Sequence, residues 1–391
     1  MNNIFNIKNI NKKYIMKLLF IILLLFTSLI VIKKLIIKKP PIKIGLVNTL
    51  TGAASTSTII IRDVAIFMIE EINRKGGIKG HKLELIIKND KLDPEVALKV
   101  DQELIDEGVV AIIGHSFSSL ALKVAPLLND NNIIMICPTV KSTELTGLDD
   151  NFLRLTIPLD KDAKATAKIA SSNLNLKKMA IVYDLINQDL TKPTTFFLKK
   201  EFKSLEGTIT ADISFNSKEN FSARNIARKI IESGSDGVYI ITDAIHTALI
   251  CQHLRINNSQ IKIIVHGWAF NDATFISEGG KAIEGVIGTY LTDMRLASEK
   301  YKKFEKRFKE KYKSELSGPA QLTYETLGIL SDALSKTTDP KKIKNVILQQ
   351  KEFEAVDGKI RFDKYGDSIR PLHIMEIQNG KMKNIGTILC E

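Results

Sequence analysis

The chain has 391 residues and a formal net charge of +12, long enough for two domains and a large core. Residues 1–41 hold eight lysines and no acid, so the other 350 carry about +4, an ordinary balance that gives no nucleic-acid signature. Three cysteines, Cys137, Cys251 and Cys390, show no CxxC spacing, so neither a disulfide framework nor a metal centre is called for.

Leu18 to Ile32 is an apolar run broken only by Thr27 and Ser28, with lysines on both flanks. No small-x-small cleavage site follows it. It is expected to act as an uncleaved membrane anchor, spanning about residues 16–37, that holds a folded domain outside the cytoplasm. Pro40-Pro41 makes a stiff junction before that domain.

Ile42 to Val47 reads as a first strand, and Ile59 to Arg74 has helical periodicity. A glycine-rich turn at 76–81 leads to strand Leu83–Lys88. Asp93-Pro94 supplies an N-cap and a proline at the first helical position, for a helix to about Glu107. Val109 to Ile113 is a wholly apolar β-branched run, as in a strand buried on both faces of a parallel sheet. Gly114 ends it, and Ser116, Ser118 and Ser119 precede a helix over Leu120–Leu128. These small residues are expected to cap the helix and leave N–H groups open to an anion such as a carboxylate. Strand Ile133–Ile136 completes a β-α-β-α-β-α-β order, which calls for a parallel, doubly wound sheet.

The same grammar restarts with strand Met179–Tyr183, helix Thr194–Leu205 and strand Thr208–Ser214. Helix Ser222–Ser233, strand Gly237–Ile241, helix Ala244–Ile256 and strand Ile261–Val265 follow. Two more helices are expected at Ser298–Tyr312 and Ala320–Ser335. Tyr301, Phe304, Phe308 and Tyr312 form an apolar stripe on the first of these, a core-facing pattern.

Two such sheets suggest a cleft between lobes, walled by the residues after each strand. On one side these are Thr51 and Gly52, Ser116 to Ser119, and Pro138 to Ser142. On the other they are Tyr183 and Asp184, Thr242 and Asp243, and His266 to Trp268, with Trp268 expected as a pocket wall. No GxGxxG, GxxxxGK[ST] or GxSxG motif occurs, which argues against a nucleotide cofactor, a dehydrogenase or an esterase elbow. His246, His253 and His266 lack a cysteine or carboxylate at ligand spacing, so no metal and no catalytic residue is assigned.

The runs at 72–80 (INRKGGIKG), 89–97 (NDKLDPEVA), IGHSFSS, PTVKSTELT, GGKAIEG and DGKIRFDKYGD, in that order, resemble the Leu/Ile/Val-binding proteins. These are substrate-binding components of branched-chain amino acid ABC transporters. The resemblance covers about residues 42–390. It implies a type I periplasmic-binding fold: two α/β lobes of doubly wound parallel sheet joined by a three-crossover hinge. The implied lobes are 42–158 with 291–360, and 159–290 with 361–391, after an anchor and linker at 1–41. It further implies a small amino-acid-like or carboxylate ligand, a permease partner, no cofactor and no nucleic acid; the alternative is a membrane-anchored sensory receptor of the same fold. Carried over by position, Ser118 would take the ligand carboxylate, and Thr139 would offer its carbonyl to the ammonium. Lys141 stands where the family usually has threonine or serine. Asp243 and Trp268 fall where members carry an aromatic and an acid. Ser116 and Asp184 complete the candidate set. Lys141 and Asp243 are expected to face each other across the cleft, bridged by ligand or in direct contact.

Overall fold

The computed structural model describes residues 16–25 and 39–390, apart from 53, 54, 56, 57, 220, 258, 259 and 317. Residues 16–25 form an exposed helix, and the rest of the expected anchor lies outside the described residues. Among the described residues no helix is long and apolar enough to cross a membrane.

The first sheet contains β1 (Ile42–Asn48), β2 (Leu83–Asn89), β3 (Ala111–Ile113), β4 (Ile134–Cys137) and β5 (Phe152–Arg154). All its pairings are parallel, in the order β2-β1-β3-β4-β5. Central β3 and β4 are buried along their whole length, as continuous apolar runs require in a sheet covered on both faces. Helices Ile59–Arg74, Pro94–Asp106 and Ser118–Asp130 make the crossovers. Asp93 caps the second through Glu95 N and Val96 N, with Pro94 at the first position as its sequence indicates.

The second sheet begins with β6 (Lys178–Asp184), β7 (Thr208–Phe215), β8 (Gly237–Ile241), β9 (Lys262–Val265) and β10 (Ile287–Tyr290), all parallel. Its helix Gln188–Ser204 starts six residues before the expected Thr194. Proline signals a helix start, but Pro193 sits inside the second turn, where it removes one backbone hydrogen bond without breaking the helix. A small antiparallel sheet follows: β11 (Phe353–Ala355), β12 (Gly358–Phe362) and β13 (Ser368–Ile369). The expected lobe boundary at 360/361 therefore falls inside β12. Ile360 packs with Phe353, Ala355 and the first sheet's strands, so the chain crosses only after Ile369.

β14 (Pro371–Gln378) and β15 (Lys381–Leu389) then join β10 antiparallel, giving the order β15-β14-β10-β9-β8-β6-β7. The second sheet is thus mixed rather than purely parallel. A two-residue turn, Asn379-Gly380, closes the hairpin with both residues at positive φ, the geometry that Asn-Gly favours. The aromatic stripe on helix Glu299–Tyr312 packs as its spacing indicates. Tyr301, Phe304 and Phe308 are buried, and Phe67 lies 5.4 Å from Phe304 between ring centroids. All three cysteines are buried and free.

The chain passes between the sheets three times: after β5, after β10 and at Arg370. Arg370 ties the three passages together. Its guanidinium donates to both oxygens of Glu325 at 2.6 and 3.1 Å, and to the carbonyls of Leu155 at 3.5 Å and Leu291 at 3.4 Å. Glu325, on helix Gly318–Leu334, also accepts from Val356 N at 2.9 Å. Both side chains are almost wholly buried. Glu325→Ala should lower stability by about 3–5 kcal/mol, because it strands a buried guanidinium. Urea unfolding of variant and parent measures the difference.

Candidate functional site

The C-terminal ends of β1, β3 and β4 build the first wall. Gly114, at φ +126°, follows β3, and a Cβ there would lie 2.0 Å from the Val47 carbonyl oxygen, so only glycine fits. The N-cap of helix Ser118–Asp130 is Phe117, in extended conformation and without a side-chain cap. The serines therefore do not cap the helix as expected. Ser116 Oγ instead donates to Asn48 Oδ1, and Thr139 Oγ1 donates to the Ser116 carbonyl at 3.1 Å. Asn48 is buried, and its Nδ2 has no partner among the described residues. Leu120 N and Ala121 N bond back to the Phe117 carbonyl at 3.2 and 3.1 Å, which leaves the N–H groups of Ser118 and Ser119 as donors at the positive end of the helix dipole. This wall offers donors, which suits an anion.

Behind it lies an arrangement that the linear motifs did not reveal. His115 is buried, with Nδ1 2.9 Å from Asp90 Oδ2 and Nε2 3.3 Å from Asp101 Oδ2. Asp90 also accepts from Thr49 Oγ1 at 2.6 Å and Leu92 N at 3.0 Å. The imidazole thus fastens the loop after β3 to Asp90 in the loop after β2 and to Asp101 on helix Pro94–Asp106, and Asp90 in turn holds Thr49 after β1. Burial alone would discharge His115, but its bonds to Asp101 and Asp90 outweigh that and raise its pKa to about 9. Burial pushes the Asp101 carboxyl up. Burial works the same way on Asp90, yet its bonds to His115 and Thr49 hold it below the ordinary value. The residues were visible in sequence as NDKLDP and IGHS, but their meeting depends on the parallel register of β1 with both β2 and β3.

In the second lobe the candidate acids are internally engaged. Asp184 is fully buried and accepts from Ile186 N at 3.0 Å, Ser217 N at 3.1 Å and Thr242 Oγ1 at 3.1 Å. It is a fastener of loops rather than an open wall. Asp243 caps helix Ala244–Ile256 through Ile245 N and His246 N, and its second oxygen meets His246 Nδ1 at 2.5 Å. His266 accepts from Trp268 N at 3.1 Å, starting the single-turn helix Gly267–Phe270, where Trp268 is half-buried. Among the described residues no group of three His, Cys, Asp or Glu side chains is arranged to hold a metal ion.

Lys141 does not meet Asp243. Its ammonium lies 2.9 Å from Asp162 Oδ2, on helix Leu159–Lys168 just beyond the first passage between sheets. Burial works against a charged Asp162, but Lys141 prevails and holds its carboxyl below the ordinary range. Burial pushes the neighbouring His266 down to about 4, with Asp162 opposing and Lys141 assisting, so this imidazole is neutral at pH 7. The sequence reading missed Asp162 because it follows no strand.

The His115 cluster carries a pH dependence. A pKa raised from 6.5 to about 9 means that the stabilisation is full below pH 6.5 and is lost as pH rises through 9, a change of about 3 kcal/mol. Unfolding at pH 6.5 and 9.5 should show this loss, and His115→Asn should flatten the profile.

The profile described as periplasmic binding protein matches residues 41–381. The leucine-, isoleucine-, valine-, threonine- and alanine-binding protein of Pseudomonas aeruginosa is 24% identical over 341 residues, covering 83% of this chain and 87% of that protein. A Leu/Ile/Val-binding protein of Rhizobium johnstonii is 32% identical over 145 residues, covering 37% of this chain and 39% of that protein. The crystal structure of a leucine-binding protein from Thermotoga maritima aligns with a TM-score of 0.72 at 25% identity, covering 89% of this chain and 98% of that one. With two α/β sheets, three passages between them and a sequence match along nearly the whole folded part, the chain belongs to the periplasmic binding protein family.

Proposed function

We propose that this chain captures a small solute, an amino acid or a related carboxylate, between its two lobes outside the cytoplasm and presents it to an ABC transporter permease. The observation that carries this reading is the set of donors after β1 and β3, the N–H groups of Ser118 and Ser119 at the start of helix Ser118–Asp130 and the buried Asn48 Nδ2, which has no partner among the described residues. No nucleophile with an adjacent base stands there: His115 is consumed by two buried acids, and Ser116 donates to Asn48. Capture rather than catalysis is the chemistry such a wall supports. The lobes, 42–158 with about 291–369 and 159–290 with 371–390, would close on the solute by bending at the three passages. The names of the relatives, which describe branched-chain and small amino acid binding, support the solute class.

The apolar run Leu18–Ile32 supports a membrane anchor for this domain. N-terminal sequencing of the membrane-bound protein should find a chain that begins before Leu18, not one cut between Ser28 and Lys43.

A thermal-shift screen of amino acids and small carboxylates tests the function, since a ligand bound only by the native state raises the melting temperature. With a hit in hand, Ser118→Ala should cost about 1.5–3 kcal/mol of binding, roughly ten- to a hundredfold in affinity, while the melting temperature of the free protein holds. Calorimetry reads the change, and unaltered affinity would remove Ser118 from the site.

A further inference from the structure

The chain enters its first lobe at a corner built from positively charged segments. Lys39, Pro40 and Pro41 lead into β1 and are exposed. They are fastened to the turn that leads into β2. His81 Nδ1 lies 2.8 Å from the Pro40 carbonyl oxygen, Lys39 Nζ donates to the Lys79 carbonyl at 2.7 Å, and Ile42 N donates to the Lys82 carbonyl at 2.9 Å. Lys39, Arg74, Lys75, Lys79 and Lys82 are all exposed there, and no acid occurs from Ile72 to Leu83 or from Lys39 to Lys43. Arg74 pairs with Glu71, which it shares with Arg307, and Lys82 donates to the Asn73 carbonyl. Lys75 and Lys79 have no ion-pair partner among the described residues. The acids nearest in the fold are Glu84, beside Lys43 in the β1–β2 register, and Asp106 and Glu107 before β3, of which Glu107 pairs with Lys88 at 3.0 Å. Like charges gathered on one turn repel each other, and an anionic partner relieves that cost.

The place of this corner identifies the partner. Six residues separate Ile32, the end of the apolar run, from Lys39. An extended chain gains about 3.5 Å per residue, so Lys39 stands within about 25 Å of the end of an inserted run. Lysines are drawn to an anionic bilayer over about a Debye length, roughly 8–10 Å, and the short linker keeps the corner close to that range. β1 runs from this corner to Asn48, about 20 Å at its rise per residue, so the donors after β1 and β3 lie at the opposite end of the sheet. Contact at the corner leaves them open to solute.

We infer that Lys39, Arg74, Lys75, Lys79 and Lys82 form a docking surface for the anionic headgroups of the bilayer that the N-terminal run enters, so that the first lobe rests on the membrane at its entry corner. The inference rests on the reading of Leu18–Ile32 as an anchor.

Reductive methylation with formaldehyde and a borane, both uncharged, tests it. The full chain is reconstituted in vesicles of phosphatidylcholine alone or with about 30% phosphatidylglycerol, and each lysine is read by mass spectrometry. Lys75 and Lys79 should react at least about fivefold more slowly on the anionic vesicles, while exposed Lys200 on the second lobe keeps one rate on both. NaCl at about 0.5 M should remove the difference. In the double variant Lys75→Glu, Lys79→Glu, Lys39 should lose its protection, and Lys75→Arg with Lys79→Arg should keep it. Equal rates for Lys75 and Lys79 on the two vesicles, or Lys39 still protected in the glutamate variant, overturn the inference. The anchor reading then stands as long as the chain floats with neutral vesicles in high salt. A chain that does not float with them removes the anchor, and the inference with it.

Discussion

Everything in this architecture passes through the contact between Arg370 and Glu325. Two sheets with separate cores are joined by three short passages, and a single guanidinium donates to a carbonyl on two of them while standing on the third. A buried ion pair gains little net stability over apolar packing, because both charges must give up water. Its advantage here is directional. The planar fork fixes where the chain leaves each sheet at the three passages. Arg154 does similar work nearby, joining β5 to Asp367, Ser142 and Thr146.

Each lobe also keeps a buried acid beneath its cleft loops. In the first it is Asp90, which gathers Thr49, Leu92 and His115; in the second it is Asp184, which gathers Ile186, Ser217 and Thr242. These carboxylates are spent on holding the loops. Lys141 and Asp162 pair beside His266, which burial keeps neutral.

Much of the scaffold was legible from local pattern. Apolar β-branched runs located β3, β4, β8 and β9, and the aromatic spacing of helix Glu299–Tyr312 named the face that is buried. Asp93-Pro94 marked its helix start to the residue. The hairpin of β14 and β15 carries an Asn-Gly turn signal, but its place in the sheet is set by β10, about eighty residues earlier.

What sequence determined by itself was the material: two runs of alternating strand and helix, small polar residues after the strands, and a family's motifs in order. Such features follow from side-chain period and turn chemistry, which act over a few residues. Which polar groups are used up was decided only by tertiary structure. Asp184 and Asp243 read as cleft residues, yet their oxygens are engaged by N–H and side-chain partners of their own lobe. Lys141 read as facing Asp243 with a ligand or a direct contact between them; the direct partner of its ammonium is Asp162. His115 had no role assigned within IGHSFSS, yet its ring bonds Asp90 in the loop after β2 and Asp101 on helix Pro94–Asp106. A hydrogen-bonding group's partner depends on strand register and lobe packing, and no spacing along the chain encodes that distance.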